Sequence, residues 1–446
     1  MSYEQNIDFV LRTVEERDIR FIRLWFTDVL GNLKSLAISP EDLEEAFEEG
    51  IGFDGSAVDG FVPLQESDML AFPDPETFQL LPWRADESSV ARMFCDIKTP
   101  SGEPFAGDSR SRLDKVFRDA EKLGYILNVG AGIEYFYLKD NVVPQLLDHA
   151  GYFDLTPFDY AQDLRRSTTL ALEKMSIPVE YSFHSLAPSQ NGIQLRYAEA
   201  CTCADNILTA RLLIKEAAHY QGHYASFMPK PFTDIPGSAL FVNQSLMDHE
   251  GNNLFYEENS ANGVGLSDLA KHYIAGILKY APEFSLITNP SVNSYKRLVP
   301  HGEVPCYTTW GRKNRAALVR IPIHKPNKPS ATRIELRSPD PTCNPYLAFA
   351  VTLAAGMRGI KNGLELPDEA TIEDIKLSEE QLRAKRFNPL PRDLGEALAR
   401  FEKSTLMREA LGEHIFTYLL NEKKREWEEY RLAVTDWEQK RYYAGF

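Results

Sequence analysis

Apolar and polar positions change period several times along this chain, and each change marks a predicted element. Ile7, Val10, Leu11 and Val14 recur at helical spacing within a charged stretch, which predicts an opening helix from about Ile7 to Arg17. The next run, IRFIRLWFTDVLGNLKSLAIS, alternates apolar and charged residues around Leu30-Gly31-Asn32, the pattern of a hairpin. Ser39-Pro40-Glu41-Asp42 then offers a capping serine, a proline at the first helical position and an acid three residues after the cap, with Gly50 as a stop. A helix of about ten residues is expected between them.

FQLLPW and VARMFCDI read as strands, and the turn-rich SGEPFAGDSR (Ser101 to Arg110) reads as a boundary. The expectation is a small mixed α/β domain over residues 1–107 and a large domain over residues 108–446. In the second, Leu113, Val116, Phe117, Ala120 and Leu123 form one helix face, ended by Gly124. YILNVGAGIEYFYL is a buried strand, and strand and helix patterns alternate to about residue 360. An α+β fold follows, with a large antiparallel sheet backed by helices. There is no internal repeat, and LPDEATIEDIKLSEEQLRAKRF is a charged surface segment.

With 446 residues and 43% hydrophobic content, the chain can bury a large core in two domains. Its formal net charge of -16 argues against nucleic acid as a partner, because phosphate binding needs a basic surface. Five scattered cysteines, an odd number, read as reduced packing thiols, Cys201 and Cys203 included. The first residues have no apolar signal core and no uncharged apolar run is long enough to span a bilayer, so no membrane role and a cytoplasmic location are expected.

Four segments carry the chemistry: FMPKPF (Phe227 to Phe232), NPSVNSYKRLVP (Asn289 to Pro300), NRAALVRIP (Asn314 to Pro322) and RIELRSPDPTCNPYLAFA (Arg333 to Ala350). With GFDGSAVDGF (Gly52 to Phe61) and the closing run from Leu394 to WEQKRYYAGF, they resemble the bacterial class I form of glutamine synthetase over the whole chain. The resemblance implies an N-terminal β-grasp-like domain and a large catalytic domain. It implies ligation of ammonia to the γ-carboxylate of glutamate through a γ-glutamyl phosphate made from ATP, with two Mg²⁺ or Mn²⁺ ions held mostly by glutamates. It also implies a homo-oligomer of stacked hexameric rings in which neighbours share active sites.

By that resemblance the metal cage is largely absent. Glu134 and Glu335 match ligands, whereas Gly132, Ser185, Gly192 and Phe241 stand where four further ligands belong. Such ions need oxygen-rich, negatively charged shells. The substrate framework stays. Arg297 matches the residue holding the glutamate α-carboxylate, with Gly237 in the substrate-binding segment, and Arg315 and Arg337 match those meeting the transferring phosphate or substrate. Asn243, Ser245, Arg320 and Arg333 match nucleotide-binding positions. Asp54 and Ser56 match the loop a neighbouring subunit inserts, and Glu303 the flap glutamate. Guanidinium forks suit carboxylate and phosphate oxygens. Simple internal ion pairs are the competing explanation for Glu134, Glu335 and the arginines.

The substitutions lead to the expectation of a chain impaired in or without ATP-dependent glutamine synthesis, serving as a pseudoenzyme, sensor or assembly subunit. One alternative is a γ-glutamyl ligase using an amine other than ammonia. Another is a repurposed enzyme with a different metal, for which His184, next to Ser185, is the candidate ligand and His223 and His301 more remote ones. A small-molecule carboxylate or amine is the expected ligand, and mixed assembly with an active paralogue is a third possibility.

Overall fold

A computed structural model describes residues 2–61, 67–82, 89–258, 265–300, 303–323 and 328–445. The opening helix, α1 (Tyr3–Glu16), starts earlier than its apolar spacing indicates, because Ser2 and Gln5 cap it reciprocally. The predicted hairpin forms as β1 (Ile19–Thr27) and antiparallel β2 (Leu33–Ile38). The Ser39 expectation is corrected: its hydroxyl bonds the Asp42 carboxylate and caps no backbone. A turn of 3₁₀ helix at Pro40–Asp42 therefore precedes a short α2 (Leu43–Glu48).

Strands β3 (Ile51–Asp54), β4 (Asp68–Pro73), β5 (Gln79–Leu80) and β6 (Ser89–Lys98) complete a six-stranded sheet of order β2-β1-β6-β4-β3, with β5 also on β6. FQLLPW contributes only the two residues of β5, and its Trp83 lies outside the described residues. One side of this sheet buries Ile22, Leu24, Met93 and Cys95 in a core of its own. From the other side Trp25 and Phe94 join the main core, so the small domain is built onto the large one.

The large domain begins at α3 (Ser109–Glu121), capped by Asp108, which the apolar pattern does not reveal. Leu123 is exposed rather than part of the buried face. The nine-stranded sheet contains β7 (Ile126–Leu138), β8 (Val179–His184), β9 (Gln190–Leu195), β10 (Ala198–Glu199), β11 (Tyr224–Ser226), β12 (Leu240–Met247), β13 (Trp310–Gly311), β14 (Val319–Arg320) and β15 (Ile334–Leu336). Its order is β13-β14-β15-β12-β7-β9-β8, with β10 and β11 also on β7. All pairs are antiparallel except β13 with β14. Helices α4 (Gln162–Lys174), α5 (Ala200–Tyr220), α6 (Asp268–Thr288) and α8 (Pro345–Lys361) back it, and the short α7 (Val292–Arg297) follows α6. On the core side of β7, Val129, Ala131, Ile133, Tyr135 and Tyr137 are fully buried. The five cysteines are unpaired. No helix among the described residues is long and apolar enough to cross a membrane.

Arg110, in the first turn of α3, ties the domains together. It donates to Asp74 (2.6 Å) and Asp96 (2.8 Å) of the small domain and to Asp205 of α5 (3.3 Å), while Tyr346 of α8 also donates to Asp205 (2.5 Å). Removing this cation takes away the bonded counter-charge of three acids at the domain junction, the buried Asp205 among them, and leaves Asp205 the unbonded Arg92 charge. Arg110→Ala should cost roughly 3–5 kcal/mol, read as a lower urea midpoint for both domains together.

Candidate functional site

Strand register assembles the site. On β7, Gly132 pairs with Phe241 of β12 and with Gln194 of β9, and Glu134 pairs with Gly192. Asn243 of β12 pairs with Glu335 of β15, which pairs in turn with Arg320 of β14. Directly opposed residues point to the same side of a sheet. Positions scattered over 200 residues of chain therefore share the face turned away from the core.

Over one end of that face lies a cavity of about 860 Å³ whose lining includes Glu134, Gly237, Phe241, Arg297, Glu303 and Arg337. Lys230 lines it too, and was legible only as part of FMPKPF. Arg297 arrives at the end of the short α7 and donates through Nη2 to the carbonyls of Ser338 and Pro339. Its Nε is buried with no partner among the described residues, and so is the Nε of Arg337. Two buried guanidinium N–H groups left unsatisfied are costly. Burial pulls the Arg297 pKa down, opposed by Asp340 and Glu134. The Arg337 guanidinium stacks over the Phe241 ring at 4.8 Å.

Glu134 is almost fully buried. It accepts hydrogen bonds from the Ser185 hydroxyl (2.7 Å) and the Ala239 amide (2.9 Å). Burial raises its pKa, against the lowering effect of those bonds and of Arg297 and Arg337. Glu335 accepts from Arg337 (2.5 Å) and lies 3.5 Å from Arg320. Both carboxylates matched to metal ligands are thus engaged by protein donors. The space for the others is filled as well. A Cβ on Gly132 would lie 2.6 Å from Gln194 Oε1, and a Cβ on Gly192 would run into the Phe183 ring. The residues present do not fit a cage for two divalent ions.

His184 is placed beside Ser185 and fully buried, its Nε2 3.1 Å from Asp148 and its Nδ1 3.0 Å from the Ser185 carbonyl. Asp148, Asp159 and His184 form a cluster compact enough for an ion, but Asp159 is held by both Nη atoms of Arg165. With acceptors facing both ring nitrogens, the imidazolium is the form that satisfies the geometry. Burial opposes that charge, yet the bonds to Asp148 and to the Ser185 carbonyl outweigh it and raise the His184 pKa. Burial likewise opposes the Asp148 charge, and bonds from His184 and Ser189 lower its pKa. Asp148 carried no sequence signal, because its partner lies 36 residues away.

Other predicted residues sit around the cavity rather than in it. Arg315 reaches Glu303 at 3.3 Å, and Arg333 donates to Asn243 at 3.3 Å. Ser245 follows Asn243 along the same face of β12. Asp54 is exposed at the end of β3 and Ser56, just beyond it, is half-buried; neither lines the cavity, and Asp54 accepts from the Ser56 amide at 2.8 Å. His223 precedes β11 and does not line the cavity, and His301 lies outside the described residues.

The catalytic domain of glutamine synthetase matches residues 106–442, and the glutamine synthetase beta-Grasp domain matches residues 18–100. The chain belongs to the glutamine synthetase family. It is similar to the glutamine synthetase of Mycolicibacterium smegmatis, 52% identical over 98% of both chains, and to that of Methanosarcina mazei, 46% identical over 97% of this chain and 96% of the other. Among solved structures it resembles a GmaS/ADP complex with a TM-score of 0.88 at 28% identity, covering 97% of this chain and 99% of the other. Full-length relatives this similar, named glutamine synthetase, overturn the expectation of a pseudoenzyme, sensor or assembly subunit. Missing ligands at Gly132, Ser185, Gly192 and Phe241 are not, on that comparison, grounds for calling the chain inactive.

Two measurements check this geometry. The His184–Asp148 pair stabilises fully between the ordinary aspartate and histidine values of 3.8 and 6.5. Its contribution falls as pH rises through the raised His184 value, and as pH drops through the lowered Asp148 value. The difference in unfolding free energy between wild type and His184→Gln should therefore shrink as pH is raised from about 6. Gly192→Glu must displace Phe183, so it should lower stability by at least ~1–3 kcal/mol in thermal unfolding, with no gain in Mn²⁺ binding by calorimetry.

Proposed function

We propose that this protein is an active ATP-dependent carboxylate–amine ligase of the glutamine synthetase type, joining ammonia to glutamate. The observation that carries the reading is that the guanidinium groups of Arg297 and Arg337 both line one cavity. A guanidinium donor in a concave, partly apolar site is suited to a substrate carboxylate. In this reading the γ-carboxylate attacks the terminal phosphorus of ATP, ADP leaves, and the amine nitrogen then displaces phosphate from the acyl carbon. Arg315 and Arg337 offset charge on the transferring group, and Glu303 faces the cavity where the amine would enter.

Asn243, Ser245, Arg320 and Arg333 form the nucleotide side, and the resemblance to a GmaS/ADP complex supports that placement. Because Glu134 and Glu335 are already satisfied by protein donors, no step is assigned to ions held by the chain. The divalent ion that accompanies ATP enters as part of the substrate. Asp54 and Ser56, which do not line the chain's own cavity, are assigned to a neighbour's site in a ring-shaped homo-oligomer in the cytoplasm.

Steady-state ADP release from MgATP should require both glutamate and ammonium. Arg297→Gln should raise the glutamate KM roughly 30- to 1000-fold, the effect of removing one member of a buried charge contact. ATP turnover indifferent to both co-substrates would sink the proposal.

A further inference from the structure

A second cavity, of about 460 Å³, lies where the small domain meets α5, and none of its lining residues lines the first. Arg23 and Trp25 reach it from alternate positions of β1, and Leu208, Arg211 and Lys215 from one face of α5. Arg110, Arg165 and Arg312 each face a carboxylate, whereas Arg23, Arg211 and Lys215 form no ion pair among the described residues. Glu216 also lines the cavity and pairs with none of them.

Arg211 donates through Nη2 to the Cys343 carbonyl at 3.0 Å, but its Nε is buried without a partner among the described residues. Lys215 lies with Nζ 5.6 Å from the Phe227 ring centre. Burial, and then the neighbouring Arg211 charge, lower the Lys215 pKa. Three cations gathered beside apolar walls, with Glu216 the one acid of the lining and paired with none of them, repel one another unless an anion enters.

We propose that this cavity binds a small anion bearing phosphate or carboxylate groups, its charge met by Arg23, Arg211 and Lys215 and its body resting on Trp25, Leu208 and Phe227. Guanidinium and ammonium donors together suit either head group. Phosphate and dicarboxylate share that chemistry, so both serve as probes.

The test is calorimetric titration of the full chain with inorganic phosphate and, separately, with succinate at low ionic strength. The proteins are wild type, Arg23→Gln/Lys215→Gln and Arg297→Gln. Lys215 is exposed and Arg23 half-buried, so the double variant should keep its wild-type melting temperature. The proposal expects saturable binding of at least one probe, weakened tenfold or more in the double variant and unchanged in Arg297→Gln. Phosphate alone binding would assign a phosphoryl ligand, and succinate alone a dicarboxylate. The proposal is overturned if neither probe saturates wild type, if the double variant binds as wild type does, or if Arg297→Gln abolishes binding, which would place the anion in the substrate cavity.

Discussion

The second cavity depends on where α5 meets the small domain, and Arg110 pins that junction. Its guanidinium is the shared partner of Asp74 and Asp96 in the small domain and Asp205 on α5, with Tyr346 adding a bond from α8. Burial alone would push the Asp205 carboxyl toward its neutral form and strip charge from Arg110. Coulombic attraction from the three acids more than compensates at Arg110, whose pKa is raised. Such a cluster gains little net stability, but it has one arrangement that satisfies every member. It thus acts as a register pin between two hydrophobic cores whose apolar contacts are less selective about angle.

The same sheet serves two solvents. Its inner side is continuous aliphatic and aromatic packing along β7, while its outer side alternates glycine, glutamate and arginine. Glycines at 132 and 192 open room that Gln194 and Phe183 take up. Glu134 is held by a hydroxyl and an amide, donors that satisfy a carboxylate without adding positive charge. The electrostatic character of this pocket is set by Arg297, Arg337, Lys230 and Lys296 against Glu134, Asp234 and Glu303.

Much of this was legible in the residues, and what was not has a common cause. Alternation around Leu30-Gly31-Asn32 yields the hairpin, and continuous apolar character yields β7, because both signals are local. The motifs bearing Arg297 and Arg337 likewise lead to a shared cavity. The missed features are matters of register or of competition. Gln194 opposes Gly132 only once β7 and β9 are paired, and Asp148 meets His184 only after the chain returns through α4. Ser39 has the composition of a cap, yet its hydroxyl finds the Asp42 carboxylate first. The expected loss of activity has a different origin. Counting metal ligands at Gly132, Ser185, Gly192 and Phe241 measures how tightly a chain could hold ions, not whether it turns over substrate, and kinship over the full chain stands against the loss.

The nesting of Phe183 against Gly192 also makes the two positions share one volume. A side chain grown at Gly192 has to push the ring at Phe183 aside, whereas the ring can shrink alone at the cost of a void. The cost of a carboxylate on β9 is therefore set by a residue of the neighbouring strand, and the two positions are coupled rather than independent.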